Sequence, residues 1–259
     1  MTESSVAQGQ SNSTEFKERG LEAAFSINLK IFKTKIADRF GDRFQYWHFD
    51  INCGCGINEK IGCIGSPLAF LRAVEASGLR KYFAGFCDID EHQLQKLMAR
   101  DLVRDNAQCF AFHGKNASLV EAIPDIIAKV ENPKRAVGMV LSDPNGFEVP
   151  LDELAELSRQ CPGIDMAIHW NTRIRRLYRG QRWEFVDIDE AIKLMGKRYW
   201  LIREPRGAHQ WTVLIGRNIK TGDHKTLGYF HLDSEKGQDI MRRCKARLQK
   251  DETQPELEL

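Results

Sequence analysis

The feature that most constrains this chain is a regular alternation of short apolar runs with helical segments. YWHFDI (46–51), YFAGFC (82–87), AQCFAF (107–112), AVGMVLSD (136–143) and DMAIHW (165–170) each have strand length and strand composition. The segments around them carry helical spacing. Residues 15–40 place Leu21, Phe25, Leu29, Phe32 and Ile36 at helical intervals, and Pro67 sits in the first turn of a helix reaching Ser77. Further helices are expected over 92–103, 119–130 and 151–159. Strands alternating with helices in this way imply βαβ units and a largely parallel sheet. The end of the chain differs: YWLIREP (199–205) and QWTVLIG (210–216) flank a short connection. A parallel crossover needs a dozen or more residues, so these two strands must be antiparallel. The expected fold is α/β, a doubly wound, mostly parallel Rossmann-like sheet with a C-terminal antiparallel hairpin.

The chain has 259 residues, 42% hydrophobic and 29% charged, which excludes collagenous or wholly disordered classes. Residues 1–14 are Ser/Gln/Asn-rich and read as a disordered tail, 15–250 as one domain, and the acidic 251–259 as a second tail. No apolar run reaches about 18 residues, so no membrane span is expected. The polar N-terminus lacks an apolar signal core, and seven scattered cysteines do not form a disulfide framework, so a cytoplasmic location is expected.

HFDINCGCG (48–56) sets Asp50 near a strand end and Gly54 and Gly56 in the following turn. Glycines there let backbone N–H groups approach a ligand and bring a following helix N-terminus toward it. The dinucleotide pattern GxGxxG is not met, because Asn52 stands where a further glycine could be, so a pyrophosphate site is disfavoured. AGFCDID (84–90) ends the next strand on Asp88, whose carboxylate can accept hydrogen bonds from both ribose hydroxyls of a nucleoside.

The form D-x-x-x-G-x-G resembles the first motif of class I S-adenosylmethionine-dependent methyltransferases, whose Gly-rich loop faces the methionine portion of the cofactor. The resemblance implies S-adenosyl-L-methionine as cofactor. It also implies that the polar residue after the third strand, Asn116 in HGKN (113–116), contacts the adenine. The ordered trio HFDINCGCG, IGSPLAFLRA (64–73) and VLSDPNGFEVP (140–150) is similar to the three-Cys-motif partner (TcmP) family and its relatives over roughly residues 30–170. The chain departs from that family where Ile51-Asn52-Cys53 replaces the more usual Gly-Phe-Ala.

Ser142-Asp143-Pro144-Asn145-Gly146-Phe147 closes the fourth strand at the carboxyl edge, where open α/β sheets bind ligands. It resembles the (D/N/S)-P-P-(Y/F/W) turn of amino-group methyltransferases, with Asn-Gly in place of the second proline. By that resemblance Asp143 and the Pro144 carbonyl accept from an exocyclic amino group and Phe147 stacks on the base. A plain turn with Asp143 as a cap is the alternative.

The fifth strand runs into TRIRRLYRGQRW, with Arg173, Arg175, Arg176, Arg179 and Arg182 among Tyr178 and Trp183. Over 167–220 there are 12 Lys and Arg against 5 Asp and Glu, a basic segment within a near-neutral chain. Arginines interleaved with aromatics suit phosphate contacts and base stacking; a solvated helix face or a salt-bridge network is the other reading. Cys53, Cys55, Cys63 and Cys87 lack zinc spacing, and no cysteine has the neighbours of a nucleophile, so no metal is expected. The sequence reads as a methyltransferase acting on an exocyclic amino group of DNA or RNA. The alternatives are a methyltransferase-like module without activity that serves a protein or nucleic-acid partner, and a small-molecule methyltransferase.

Overall fold

The computed structural model describes residues 13–38, 44–58, 62–144, 148–171, 174–178, 182–205 and 211–251. Strands β1 (Tyr46–Asp50), β4 (Tyr82–Asp88), β5 (Cys109–His113), β6 (Val137–Ser142) and β7 (Ile164–Asn171) form the expected parallel set, with β1 at its centre between β4 and β6. Two short strands, β2 (Ile57–Asn58) and β3 (Cys63–Ile64), pair with each other outside this sheet, and so do β8 (Arg175–Tyr178) and β9 (Arg182–Phe185). β10 (Tyr199–Arg203), β11 (Trp211–Arg217) and β12 (Tyr229–His231) complete the main sheet in the order β12-β10-β11-β7-β6-β1-β4-β5.

β10 and β11 are antiparallel neighbours, as expected, but β11 fills the slot beside β7. The reason is the crossover. The helix Ile188–Met195 carries the chain over the sheet and returns it parallel to β7 one strand further out. β11 then runs back through the gap, antiparallel to both.

Helices cover both faces. On one side α1 (Ser13–Phe32), which continues as a π-helical turn over Lys33–Ala37, packs with α2 (Ser66–Ser77), α3 (Glu91–Met98) and α4 (Asp101–Arg104). On the other lie α5 (Asn116–Ala128), α6 (Leu151–Gln160), α7 (Ile188–Met195) and α8 (Glu235–Asp251). α1 begins at Ser13 and α8 ends at Asp251, so each takes in a residue or two that the sequence reading assigned to the tails. Among the described residues no helix is long and apolar enough to cross a membrane.

Every residue of β1 is buried, which is why the strand reads as a continuous run rather than an alternation. Its odd-numbered residues Trp47 and Phe49 enter the core with α5 to α8; Tyr46 enters the core with α1 to α3. Gly138 of β6 sits opposite Trp47, where a Cβ would meet the Trp47 carbonyl at 1.8 Å, so only glycine fits this close approach of two strands.

Two polar groups are buried in β1. His48 is 0% exposed, stacks on Phe70 with ring centroids 3.7 Å apart, meets Phe25 edge-on, and neither ring nitrogen has a hydrogen-bond partner among the described residues. Burial pushes its pKa down to about 3. Asp50 is equally buried, and burial raises its pKa to about 7 against the lowering effect of donors from Ser66 and Asn52. The two act on stability with opposite sign. Protons bind the unfolded His48 but not the folded one between pH about 6.5 and about 3, so its contribution is lost as pH falls through that window. Protons bind the folded Asp50 but not the unfolded one between about 4 and about 7, so its contribution is lost as pH rises. Urea unfolding at pH 7 and pH 4.5 should therefore show that Asp50→Asn steepens the loss of stability on acidification and His48→Phe reverses it, each by up to a few kcal/mol. Parallel pH profiles in both variants and the wild type would contradict this.

Candidate functional site at the carboxyl edge of the sheet

The carboxyl ends of β1, β4, β5, β6 and β7 meet at one edge, and the turn after β1 joins three of them. The Ile51 N–H donates to the Leu141 carbonyl at 3.0 Å and the Cys53 N–H to the Cys87 carbonyl at 2.9 Å, carrying the ladder past both strand ends. The Asn52 N–H donates to Asp50 Oδ1 at 3.1 Å, closing a local turn. The Gly54 N–H donates to Asp88 Oδ2 at 2.8 Å, a contact between residues 34 apart in sequence. The Asn52 side chain reaches the other way: its Oδ1 accepts from the Asp143 N–H at 3.2 Å. Gly54 and Gly56 have φ of 57° and 76°, and a Cβ on Gly56 would meet Leu97 at 2.7 Å, so the turn needs glycine here for both conformation and space.

The helix after this turn starts where the sequence places it, with Pro67 in its first turn, but not directly at the glycines. The β2–β3 hairpin intervenes, and α2 begins only at Ser66. The chain nevertheless returns to the turn, because the Gly65 N–H donates to the Gly56 carbonyl at 2.7 Å and Ser66 Oγ donates to Asp50 Oδ2 at 2.6 Å. Asp50 therefore lies at the N-terminal end of α2, tying that helix to β1, and it is closed off from solvent. The carboxylates of Asp143 and Asp88 add to the upward shift of its pKa, which places all three acids within electrostatic reach of one another.

Asp88 is half-buried, and each of its oxygens accepts one backbone N–H, Gly54 on Oδ2 and Asp90 on Oδ1, both at 2.8 Å. An ionised carboxylate has roughly four acceptor positions, so two are left for hydroxyl donors. Beside it Ile89 is 69% exposed, an apolar side chain on the open edge, with its carbonyl 3.1 Å from His113 Nε2. Asn116 lies on the same edge at the first turn of α5, half-buried, with Oδ1 accepting from the Ala117 N–H at 2.7 Å.

Asp143 is buried and paired with a residue that the sequence reading treated only as a strand end: His169 Nδ1 stands 3.0 Å from Asp143 Oδ1. The signal for it is long-range register. Ser142 pairs with Ile168 across β6 and β7, which sets the next residues of both strands side by side. Pro144 follows, half-buried. Phe147, with Asn145 and Gly146, lies outside the described residues, as do Arg173 and Arg179. Arg175, Arg176 and Arg182 are described by backbone alone: they belong to the β8–β9 hairpin, where Arg176 pairs with Glu184 and Tyr178 with Arg182. The described part of the basic segment, 175–178 and 182–185, is thus a pair of antiparallel strands, and the helix-face reading is set aside.

Cys53 and Cys87 face the buried side of the turn. Burial, reinforced by nearby Asp50 and Asp88, pushes both thiols up, Cys87 to about 12. They stay protonated at neutral pH and serve as small fillers, not nucleophiles.

No family model matches the chain, and no curated protein does. Solved structures do. Protein LPL1258 from Legionella pneumophila, of family DUF519, is similar over 83% of this chain and 90% of its own, with a TM-score of 0.55 and 10% identity. Human methyltransferase-like protein 13, solved in complex with SAH, matches over 95% of this chain and 97% of its own at a TM-score of 0.45 and 9% identity. A methyltransferase from Geobacter sulfurreducens matches over 78% of both chains at 0.44 and 14%. At these identities the likeness is one of fold, and the fold is the Rossmann-like α/β architecture expected from the sequence.

Proposed function

We propose that this chain is an S-adenosylmethionine-dependent methyltransferase of the TcmP-like kind, acting on an exocyclic amino group of a nucleic acid. The observation that carries the cofactor assignment is the hydrogen bond between Gly54 and Asp88, with exposed Ile89 beside it. It joins a Gly-rich first turn to an acid ending the second strand, and sets an apolar side chain where a nucleoside base would lie. Asp88 would hold the ribose hydroxyls, Gly54 and Gly56 the methionine end, and Ile89 and Asn116 the adenine. When bound, the cofactor supplies an electrophilic methyl group on a sulfonium. The chain's part is to position the acceptor. Asp143, with His169 beside it, and the Pro144 carbonyl would accept the amino N–H groups and direct the nitrogen lone pair at the methyl carbon. The proton that the amino nitrogen gives up on methylation would pass to solvent, with Asp143 and the Pro144 carbonyl keeping the acceptor in place. The arginines at 173, 175, 176, 179 and 182 follow the strand that ends beside Asp143, which favours phosphate contacts along the substrate opening.

Calorimetry with S-adenosylhomocysteine should show binding to the wild type and at least a tenfold loss in Asp88→Ala, since a doubly hydrogen-bonded charged acceptor contributes about 1.5–3 kcal/mol. Unchanged affinity would remove Asp88 from the site. Asp143→Ala should lower methyl transfer to DNA or RNA by about 10²–10³ with cofactor affinity nearly intact. A fully active Asp143→Ala would refute the role of this turn, and a wild type that binds cofactor but methylates neither nucleic acid would favour the binding-module reading. For the arginines, log affinity for nucleic acid should fall with log salt by about 0.7–0.9 per neutralised phosphate. Arg175→Ala with Arg176→Ala should flatten that slope and leave cofactor affinity unmoved; a flat slope in the wild type points to a small-molecule acceptor.

A further inference from the structure

β7 brings a histidine to the carboxyl edge of the sheet to which methyl transfer as described gives no task. The strand lies between β6 and β11, and His169 sits opposite Val213 in the β11 register, flanked along the chain by Ile168 and Trp170, both in the core. His169 is itself 8% exposed, and its Nδ1 lies 3.0 Å from Asp143 Oδ1. An imidazole carried into apolar surroundings loses its hydration, and a polar partner is what offsets the loss. Here the neighbour within hydrogen-bond distance is the acid of the turn after β6.

Asp143 is approached from two directions. Its backbone N–H donates to Asn52 Oδ1 at 3.2 Å, which ties the chain at this point to the turn after β1. Its side chain is 11% exposed, while Oδ1, the oxygen toward His169, is closed off from solvent. An acceptor molecule at the edge therefore has Oδ2 to reach, not Oδ1. His169 Nε2 is closed off as well, so the ring bears on an acceptor through Asp143 and not directly. The pair has the distance of a hydrogen bond without its alignment, and catalytic hydrogen bonds commonly align only once substrate is seated. Charge favours a donor at this place. Asp50 and Asp88 share the edge with Asp143, and a proton donor on its inner oxygen offsets their repulsion.

We propose that His169 is a positioning residue for methyl transfer: its Nδ1–H holds the inner oxygen of Asp143, so that Oδ2 is presented to the amino group being methylated. The role rests on the methyl-transfer reading and on the place of Asp143 in it. Partners of this kind fix the orientation of the group that meets the substrate, and their loss commonly costs about 10–100-fold. A packing role for the ring asks only for volume between β6 and β11. The positioning role asks for an N–H at the place of Nδ1, which asparagine supplies and leucine does not.

The test combines kinetics with a readout that needs no turnover. With labelled S-adenosylmethionine and heat-denatured unmodified DNA or transcribed RNA, His169→Leu should lower kcat at least tenfold, with KM and S-adenosylhomocysteine affinity within about twofold of wild type. His169→Asn should keep kcat within about threefold. On an Asp143→Ala background His169→Leu should cost nothing more, because the ring acts only through that carboxylate. Equal losses in the Asn and Leu variants, or a full further loss in the double variant, overturns the proposal. In the full chain at pH 7, two-bond nitrogen–proton NMR of the imidazoles should find Nδ1 of His169 protonated, and the proton moving to Nε2 in Asp143→Ala. An Nδ1 without a proton in the wild type overturns the positioning role alone, whatever the methyl transfer. A wild type that methylates neither nucleic acid overturns the methyl-transfer reading and this role with it.

Discussion

The carboxyl edge of the sheet depends on the hydrogen bonds made by one four-residue turn. Residues 51–54 leave the central strand and fasten it to both neighbours through Ile51 on one side and Cys53 on the other. Gly54 then donates to Asp88 and the Asn52 side chain accepts from Asp143. Three acids from three strands are thereby brought within reach of one another at a half-buried edge, where like charges would otherwise drive them apart. What makes this tolerable is that two of the carboxylates are supplied with donors, Ser66 and Asn52 for Asp50 and Gly54 and Asp90 for Asp88, while the His169 ring stands 3.0 Å from the Asp143 carboxylate. The geometry of any ligand held here is set by a backbone turn, which explains why glycine is needed at 54 and 56 and why a side chain at 52 has a place.

Buried strands and amphipathic helices carry local signals, and so most of the architecture was legible. The five parallel strands, the helices between them and the antiparallel pair at the end all follow from apolar runs and spacing. Three features did not. The β2–β3 hairpin, between the turn and α2, has two residues in each strand, too few to show a period. The insertion of β11 beside β7 is a matter of where a crossover lands, which no local pattern encodes. The Arg-rich segment has aromatics and arginines in a mixture that fits a helix face or a strand, and pairing across 179–181 decides it.

The site was legible in its parts and not in its connections. Asp50, Gly54, Gly56, Asp88 and Asp143 stand out by position after strands. That Asp50 is sealed behind Ser66 while Asp88 stays on the open side depends on the path of α2, and the pairing of Asp143 with His169 depends on the register of β6 against β7. His48 shows the same limit. In the sequence it is one residue in an apolar strand, and only the stacked Phe70 and edge-on Phe25 explain how an imidazole stays neutral there.

The claim on which the account rests is that the turn at 51–56 and the end of β4 form one nucleoside-binding surface. The most direct measurement is a residue-resolved amide NMR titration of the full chain with S-adenosylhomocysteine. The account predicts that the largest shifts fall on Gly54, Gly56, Ile89 and Asp90, with smaller ones at Asn116, while amides at the far edge around Asp165 and Ile219 stay in place. Saturable shifts centred anywhere else, with Gly54 and Asp90 unmoved, would contradict it.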